Sequence, residues 1–353
     1  MLNRRKKYTV CLSAIFLVVI TVVFSCKRNF SSDQFIDDQL VVLAEITAGD
    51  SVKIPVGKTI KVGGGSVLRF EKVNDATVVI TEGQATNWIL QPNYSSQYAS
   101  NPTTLFTSRQ RFKYNTSYSI ELKHPTLGTA KATAFIPPLP AAIVIDTVAA
   151  DTLIQGKTVL AADISWQDAA DENNYYVIEA VKELVKLRRY FFYRGVRYYT
   201  DNASGKMLYD NIRSNTGPTL FTDTSSRNEF VRLNLYTQDA ASKNAGIDNL
   251  SNPFRRIFFD DNSFNGQAYT TRVYIDRQFF TSTDPDQKGR VRIRFKSVSK
   301  SFYDYLLIYE KYKTDFGTLP ANQILSPSGN IQNGLGIFGA SARRERVFYF
   351  DKF

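Results

Sequence analysis

A chain of 353 residues has room for two or three domains, and its 43 % hydrophobic and 22 % charged content excludes wholesale disorder. One His and two Cys leave almost nothing from which to build a zinc site, a cysteine nucleophile or a Ser-His-Asp triad. The net charge of +11 asks for an acidic partner or surface, although part of it belongs to the extreme N-terminus, and 25 Phe and 20 Tyr against 2 Trp lean towards β structure.

Arg4, Arg5, Lys6 and Lys7 precede an uncharged run of fifteen residues, Val10 to Phe24. That is shorter than the roughly 20 residues of a spanning helix and suits the apolar stretch of a secretory signal. Val23-Phe24-Ser25-Cys26 then resembles a bacterial lipobox, with Phe24 bulkier than usual. The expectation is a signal over 1–25, acylation of Cys26 and a lipidated tether over 26–38; an uncleaved anchor helix is the alternative. Acylation would hold the protein in the outer membrane, with the leaflet open. It would also leave the mature chain without a free thiol.

From Leu40 onwards, short apolar runs alternate with Gly, Asn, Asp and Pro, as in Tyr118-Ser119-Ile120-Glu121-Leu122. Strands of this kind over 39–136, with Gly63-Gly64-Gly65 and Glu82-Gly83 as turns, predict a first β-sandwich. Pro137-Pro138-Leu139-Pro140 cannot enter a sheet and marks a boundary. Over 141–353 a second, elaborated β domain is expected. Ile164-Ser165-Trp166 and Asn174-Tyr175-Tyr176-Val177-Ile178 resemble successive strands of a fibronectin type III module.

Val181 to Tyr199 suits helix by its apolar spacing and strand by its aromatics, and a long hairpin turning near Arg194-Gly195 is preferred. Tyr209 to Asn265 reads as long loops with strands at Glu229–Tyr236 and Arg256–Phe259, before clear strands at Gln267–Arg277 and Arg290–Lys296. Ser301 with Asp304 predicts one capped helix near the C-terminus, leaving at Gly317. The fold expected is all-β: two β-sandwich domains, the second fibronectin type III-like with long insertions and this one short helix.

Several segments carry a family resemblance: Phe35-Ile36-Asp37 through Asp50, Trp166-Gln167-Asp168, Phe259-Asp260-Asp261, Ser301 to Tyr312, and Asn330-Ile331-Gln332-Asn333-Gly334-Leu335-Gly336-Ile337-Phe338-Gly339-Ala340. Together they resemble the Bacteroidota outer-membrane lipoproteins of domain-of-unknown-function family 4249. The resemblance implies an exported β-rich lipoprotein working beside a TonB-dependent receptor, and brings no catalytic residue with it.

Gly334-x-Gly336-x-x-Gly339 matches a dinucleotide fingerprint, but a Pro-Ser-Gly-Asn turn precedes it and too little chain follows for a βαβ unit. Close backbone packing at a turn is the expectation, and no cofactor is expected. His124 reads as a strand-end surface residue. Asp260-Asp261-Asn262 and Asp284-x-Asp286 have calcium-type oxygen ligands without the rest of a calcium loop.

Arg290, Arg292, Arg294 and Lys296 fall on one face of a strand, and Arg194 and Arg197 interleave with Tyr and Phe. These are the candidate partner-binding residues, facing a receptor, an acidic glycan or lipopolysaccharide. Nucleic acid is set aside, since an exported protein does not meet the chromosome. Trp88, Tyr94 and Tyr98 are candidates for stacking on sugar rings in a glycan- or nutrient-binding alternative. A hydrolase built on carboxylates alone is a third reading, and the first, non-enzymatic reading leads.

Overall fold

The computed structural model describes residues 38–349 except 62–67, 85, 96–101, 155, 171, 245–253, 281–286 and 317–328. Cys26, Gly63-Gly64-Gly65, Tyr98, Asp284, Asp286 and Gly317 lie outside the described residues.

Ahead of the proline run the chain forms β1 (Leu40–Thr47), β2 (Ser51–Lys61), β3 (Leu68–Lys72), β4 (Thr77–Glu82), β5 (Thr86–Ile89), β6 (Gln91–Asn93), β7 (Thr104–Arg111), β8 (Thr116–His124) and β9 (Gly128–Ile136). The period-two alternation sorts side chains strictly: along β9, Ala130, Ala132, Ala134 and Ile136 turn inward while their neighbours face out. One layer carries β1-β2-β7-β6, with β3 beside β2, and the other carries β5-β4-β8-β9. Val42, Ile54, Ile80, Phe106, Tyr118 and Ile120 fill the core of this half.

Beyond Pro140 come β10 (Ala141–Ile154), β11 (Lys157–Gln167), β12 (Tyr175–Tyr193), β13 (Val196–Tyr199), helix α1 (Ala203–Thr216), β14 (Phe221–Arg232), β15 (Ile257–Asp260), β16 (Ala268–Asp276), β17 (Gln287–Val298), helix α2 (Lys300–Phe316) and β18 (Leu335–Tyr349). A small sheet, β10-β11-β16, supplies one side of a second core, and the sheet centred on β12 and β17 supplies the other. Trp166 of β11 meets Tyr176 of β12 edge-on at 5.5 Å and Phe295 of β17 at 4.8 Å. The all-β expectation holds, with this Trp-Tyr pair in the second core.

β18 ties the two cores together. It pairs antiparallel with β17 and parallel with β1, from Val41 opposite Leu335 to Thr47 opposite Ser341. One eleven-stranded sheet results. Phe338, Ala340 and Ala342 of β18 enter the first core, and Phe348 enters the second. The glycine motif therefore lies at the start of a strand rather than in the expected turn, while its close packing is as expected. A Cβ on Gly336, at φ +99°, would overlap the Val42 carbonyl of β1, and one on Gly339 would overlap the Phe302 ring of α2.

The long hairpin forms as preferred. Arg194 (φ +50°) and Gly195 (φ +81°) turn β12 into β13 with two left-handed residues, as a two-residue hairpin requires. Two helix expectations need correction. α2 begins at Lys300, where the Ser299 carbonyl accepts from Tyr303 N at 2.9 Å; Ser301 lies inside the first turn, and Asp304 pairs with Lys300 at 2.5 Å. Secondly, α1 replaces the first part of the expected loop. The Asn202 side chain caps it by accepting from Gly205 N at 2.7 Å, and Gly217 ends it in the left-handed region. Its few apolar residues, with Met207 exposed, hide it from a search for a buried stripe.

Candidate functional site

The cation stripe of β17 is built as its alternation dictates, with Val291, Ile293 and Phe295 buried on the opposite face. Its role is not the expected one. Glu183 and Glu179 of β12 stand opposite Arg290 and Arg294, and Glu345 of β18 stands opposite Arg294 from the other side. Arg290 forks onto Glu183 through Nε and through Nη2, the latter at 2.8 Å; Arg292 bridges Glu183 at 3.0 Å and Glu345 at 2.5 Å; Arg294 reaches Glu345 at 3.2 Å. Lys296, only 4 % exposed, sits between Glu179 at 2.7 Å and Glu45 at 2.9 Å.

Arg232 at 3.3 Å and Arg256 at 3.6 Å close on Glu179 as well, and Arg256 also pairs with Glu310. Burial alone would raise the Glu179 pKa, but Lys296, Arg232 and Arg256 outweigh it and hold the carboxyl well below the ordinary range. Hydrogen bonds from Arg290, opposed by burial and supported by Arg292, hold Glu183 down at about 2. Arg290, Arg292, Arg294 and Lys296 are thus internal ion-pair partners, and the stripe is no free basic face for an acidic glycan or lipopolysaccharide.

Trp88 is also corrected. It is 6 % exposed and packs in the first core against Tyr118 at 5.5 Å and Phe112 at 5.8 Å, so it has no face to offer a sugar. Tyr94 is exposed but stands without Trp88 as a partner.

His124 ends β8 as expected, but its side chain is only 8 % exposed rather than on the surface, because the ring turns into the loop that follows. Nδ1 accepts from the amides of Thr126 and Leu127 at 3.2 Å each, and Nε2 lies 3.0 Å from Asp75. Asp260 pairs with Lys243 at 2.6 Å, and buried Asp261 accepts from Asn174 N at 2.7 Å. Burial pushes the Asp261 carboxyl up, and the nearby charge of Asp168 adds to this. Asp168 in turn accepts from the Tyr176 hydroxyl and from Gly266 N at 2.9 Å, so both carboxylates brace loops. Among the described residues, no group of three or more His, Cys, Asp or Glu is placed to hold a metal.

What stays open to a partner is the far half of β12. Past Leu187 the strand runs between β13 and the start of β14, with residues outside the two main cores. On one face Phe191 is buried against Tyr198 at 5.8 Å and against Tyr209 of α1 at 5.4 Å. The other face is a layer of rings and guanidiniums. Tyr190 stacks on Phe221 at 5.5 Å, Phe192 meets Phe221 edge-on at 6.0 Å, and Arg197 lies 4.3 Å over Tyr190.

Arg188 lies 3.8 Å over Tyr199 and forks onto Asp201 at 2.7 and 3.2 Å. Phe192 and Phe221 remain 49 % and 43 % exposed, and Leu220, next to Phe221 in the chain, is exposed too. Of the sequence candidates, Arg197 belongs to this layer and Arg194 stands at its turn, 5.3 Å over Tyr193. Phe221 is the member sequence reasoning missed, because only the pairing of β14 with β12 sets it opposite Tyr190.

An all-β chain with two cores on one shared sheet and an exposed aromatic arm is the class that fold and site define. A family model described as "Domain of unknown function (DUF4249)" matches residues 28–346, and the chain belongs to this family. No curated protein matches it. Among solved structures it is similar to trypsin-activated alpha-2-macroglobulin from Escherichia coli at 7 % identity, covering 75 % of this chain and 15 % of that one. The TM-score of 0.17 is too low for that likeness to carry an argument.

Proposed function

We propose that this protein is a non-enzymatic lipoprotein, held in the outer membrane through Cys26, that serves as the accessory partner of a TonB-dependent receptor in nutrient uptake. The observation that carries the reading is the arm of β12 and β13. Its outer face presents Tyr190, Phe192 and Phe221 with Arg197, the residue types that anchor protein interfaces, packed against one another on a hairpin. The lipobox-like Ser25-Cys26 supports the anchoring, and the family resemblance supplies the class of partner.

The test is affinity purification of the acylated protein from detergent-solubilised outer membranes, with the co-purifying chain identified by mass spectrometry. Stoichiometric recovery of a TonB-dependent β-barrel is expected, with its loss on the double substitution Phe192→Ser and Arg197→Ser while the melting temperature stays put. A lipoprotein that emerges alone, or a receptor still held by the arm variant, overturns the reading.

A further inference from the structure

A second surface, on the opposite core and independent of the docking reading, has the chemistry of a ligand site. On the outward face of the β5-β4-β8-β9 sheet, Asn87, Thr81, Ser119 and Thr133 stand in register as one row across four adjacent strands. At about 4.8 Å between strands the row is about 14 Å long. All four are uncharged hydrogen-bonding side chains. The chain at Asn330 and Gln332 rises beside β9 as a wall, held by the Asn330 amide to the Thr133 carbonyl at 3.2 Å and by backbone bonds between Gln332 and Lys131. Floor and wall enclose a groove of about 610 Å³, within the range of small-ligand sites.

Glu121 is bound by Lys123 and Lys131 at 2.7 Å each, which leaves this cluster one positive charge in excess and sets it against a cationic ligand. The row itself carries no charge. A ligand rich in hydroxyls fits it, because each hydroxyl both donates and accepts and so matches Ser, Thr and Asn alike. Half-buried Val79 of β4 lines the groove and supplies apolar surface for the C–H faces of such a molecule, with exposed Ile89 paired beside it on β5. We infer that this groove binds a neutral oligosaccharide. Trp88, the residue whose type first suggests sugar stacking, lies on the buried side of the same sheet; the sugar-binding chemistry is on the outward side.

The experiment is calorimetric titration of the full chain in detergent with maltotetraose, cellotetraose, xylotetraose and mannotetraose, with heparin and polygalacturonate as charged comparators. Saturable binding of at least one neutral tetraose is expected. Ser119→Tyr, which fills the floor, should weaken it about tenfold or more. Asn87→Ala with Thr133→Ala, which removes hydrogen-bonding groups without adding bulk, should weaken it severalfold and covers the case in which Ser119→Tyr fails to fold. Phe192→Ser on the arm should leave it unchanged, which separates this site from the docking surface. Absence of binding by all four neutral tetraoses at millimolar concentration overturns the inference. So does binding that survives both groove variants, or a preference for the acidic polymers.

Discussion

Gly339 of β18 and Phe302 of α2 compete for one volume: the Phe302 ring already occupies the place where a Cβ on Gly339 would stand. The helix can approach the strand this closely only because residue 339 has no side chain. Gly339→Ala should therefore destabilise the fold by about 1–3 kcal/mol, read as a lower urea midpoint. Gly336→Ala should cost more, because it faces the Val42 backbone carbonyl and sits at φ +99°, where alanine is strained. The reverse order, or a nucleotide that restores either variant, would contradict the packing role.

Acid should unfold the protein through its charge ladder. The Glu183 carboxyl is held at about 2 in the folded chain against an ordinary 4.5, and Glu179 is lowered in the same direction. A depressed folded-state pKa contributes stability above the unfolded value and loses it as pH falls through the folded value. The urea midpoint should thus be level from pH 7 to about pH 5 and fall steadily from about 4.5 towards 2. Glu183→Gln leaves Arg290 and Arg292 short of their partner and should cost on the order of 3 kcal/mol at pH 7. Its pH profile should be flatter; a profile as steep as that of the parent would show that Glu183 plays no part.

Tyr176 donates its hydroxyl to Asp168, whose other oxygen accepts from Gly266 N at 2.9 Å. Tyr176→Phe keeps the ring against Trp166 and removes the donor from a buried carboxylate. A loss of about 1–3 kcal/mol in urea unfolding is expected. Asp168→Asn keeps one acceptor of the two and turns an amide donor towards either the tyrosine hydroxyl or Gly266 N, so it should cost at least as much; an unchanged midpoint for Tyr176→Phe would show that the hydroxyl plays no part.

The chain has two tryptophans, and Trp88 and Trp166 are both buried. Native emission should be blue-shifted and resist iodide, with quenching gained only on unfolding. Saccharide bound in the groove should leave iodide access unchanged. Ready quenching of Trp88 in the native protein would return it to the surface as a stacking residue.

Much of the fold is readable locally. Arg194-Gly195 marks the hairpin turn because two left-handed residues are what a two-residue connection needs, and Gly is at ease there. Trp166 and Tyr176 mark the second core because they alternate in step with Ile164 and Ile178, which places all four on the inward faces of β11 and β12. α1 was not legible. Its only signals are the Asn202 cap and the Gly217 exit, and a helix lying on a hairpin through Tyr209 needs no continuous apolar stripe.

The site shows the same division. Alternation in Arg290 to Lys296 states correctly which side chains share a face, but says nothing of what neighbouring strands place beside them. Glu183 and Glu345 lie 107 and 53 residues from Arg290 and Arg292, and their pairing turns a candidate docking stripe into internal structure.

By itself the sequence determined the strand class, which side chains of the β17 strand share a face, and the tight hairpin turn, since these depend on backbone preferences within a few residues. Only the tertiary structure decided that β18 lies parallel to β1, where the Thr47 and Ser341 hydroxyls meet at 2.9 Å across 294 residues, and hence that two cores share one sheet. The physical reason is that the register between distant strands is set by packing and by charge neutralisation among side chains that no local pattern brings together.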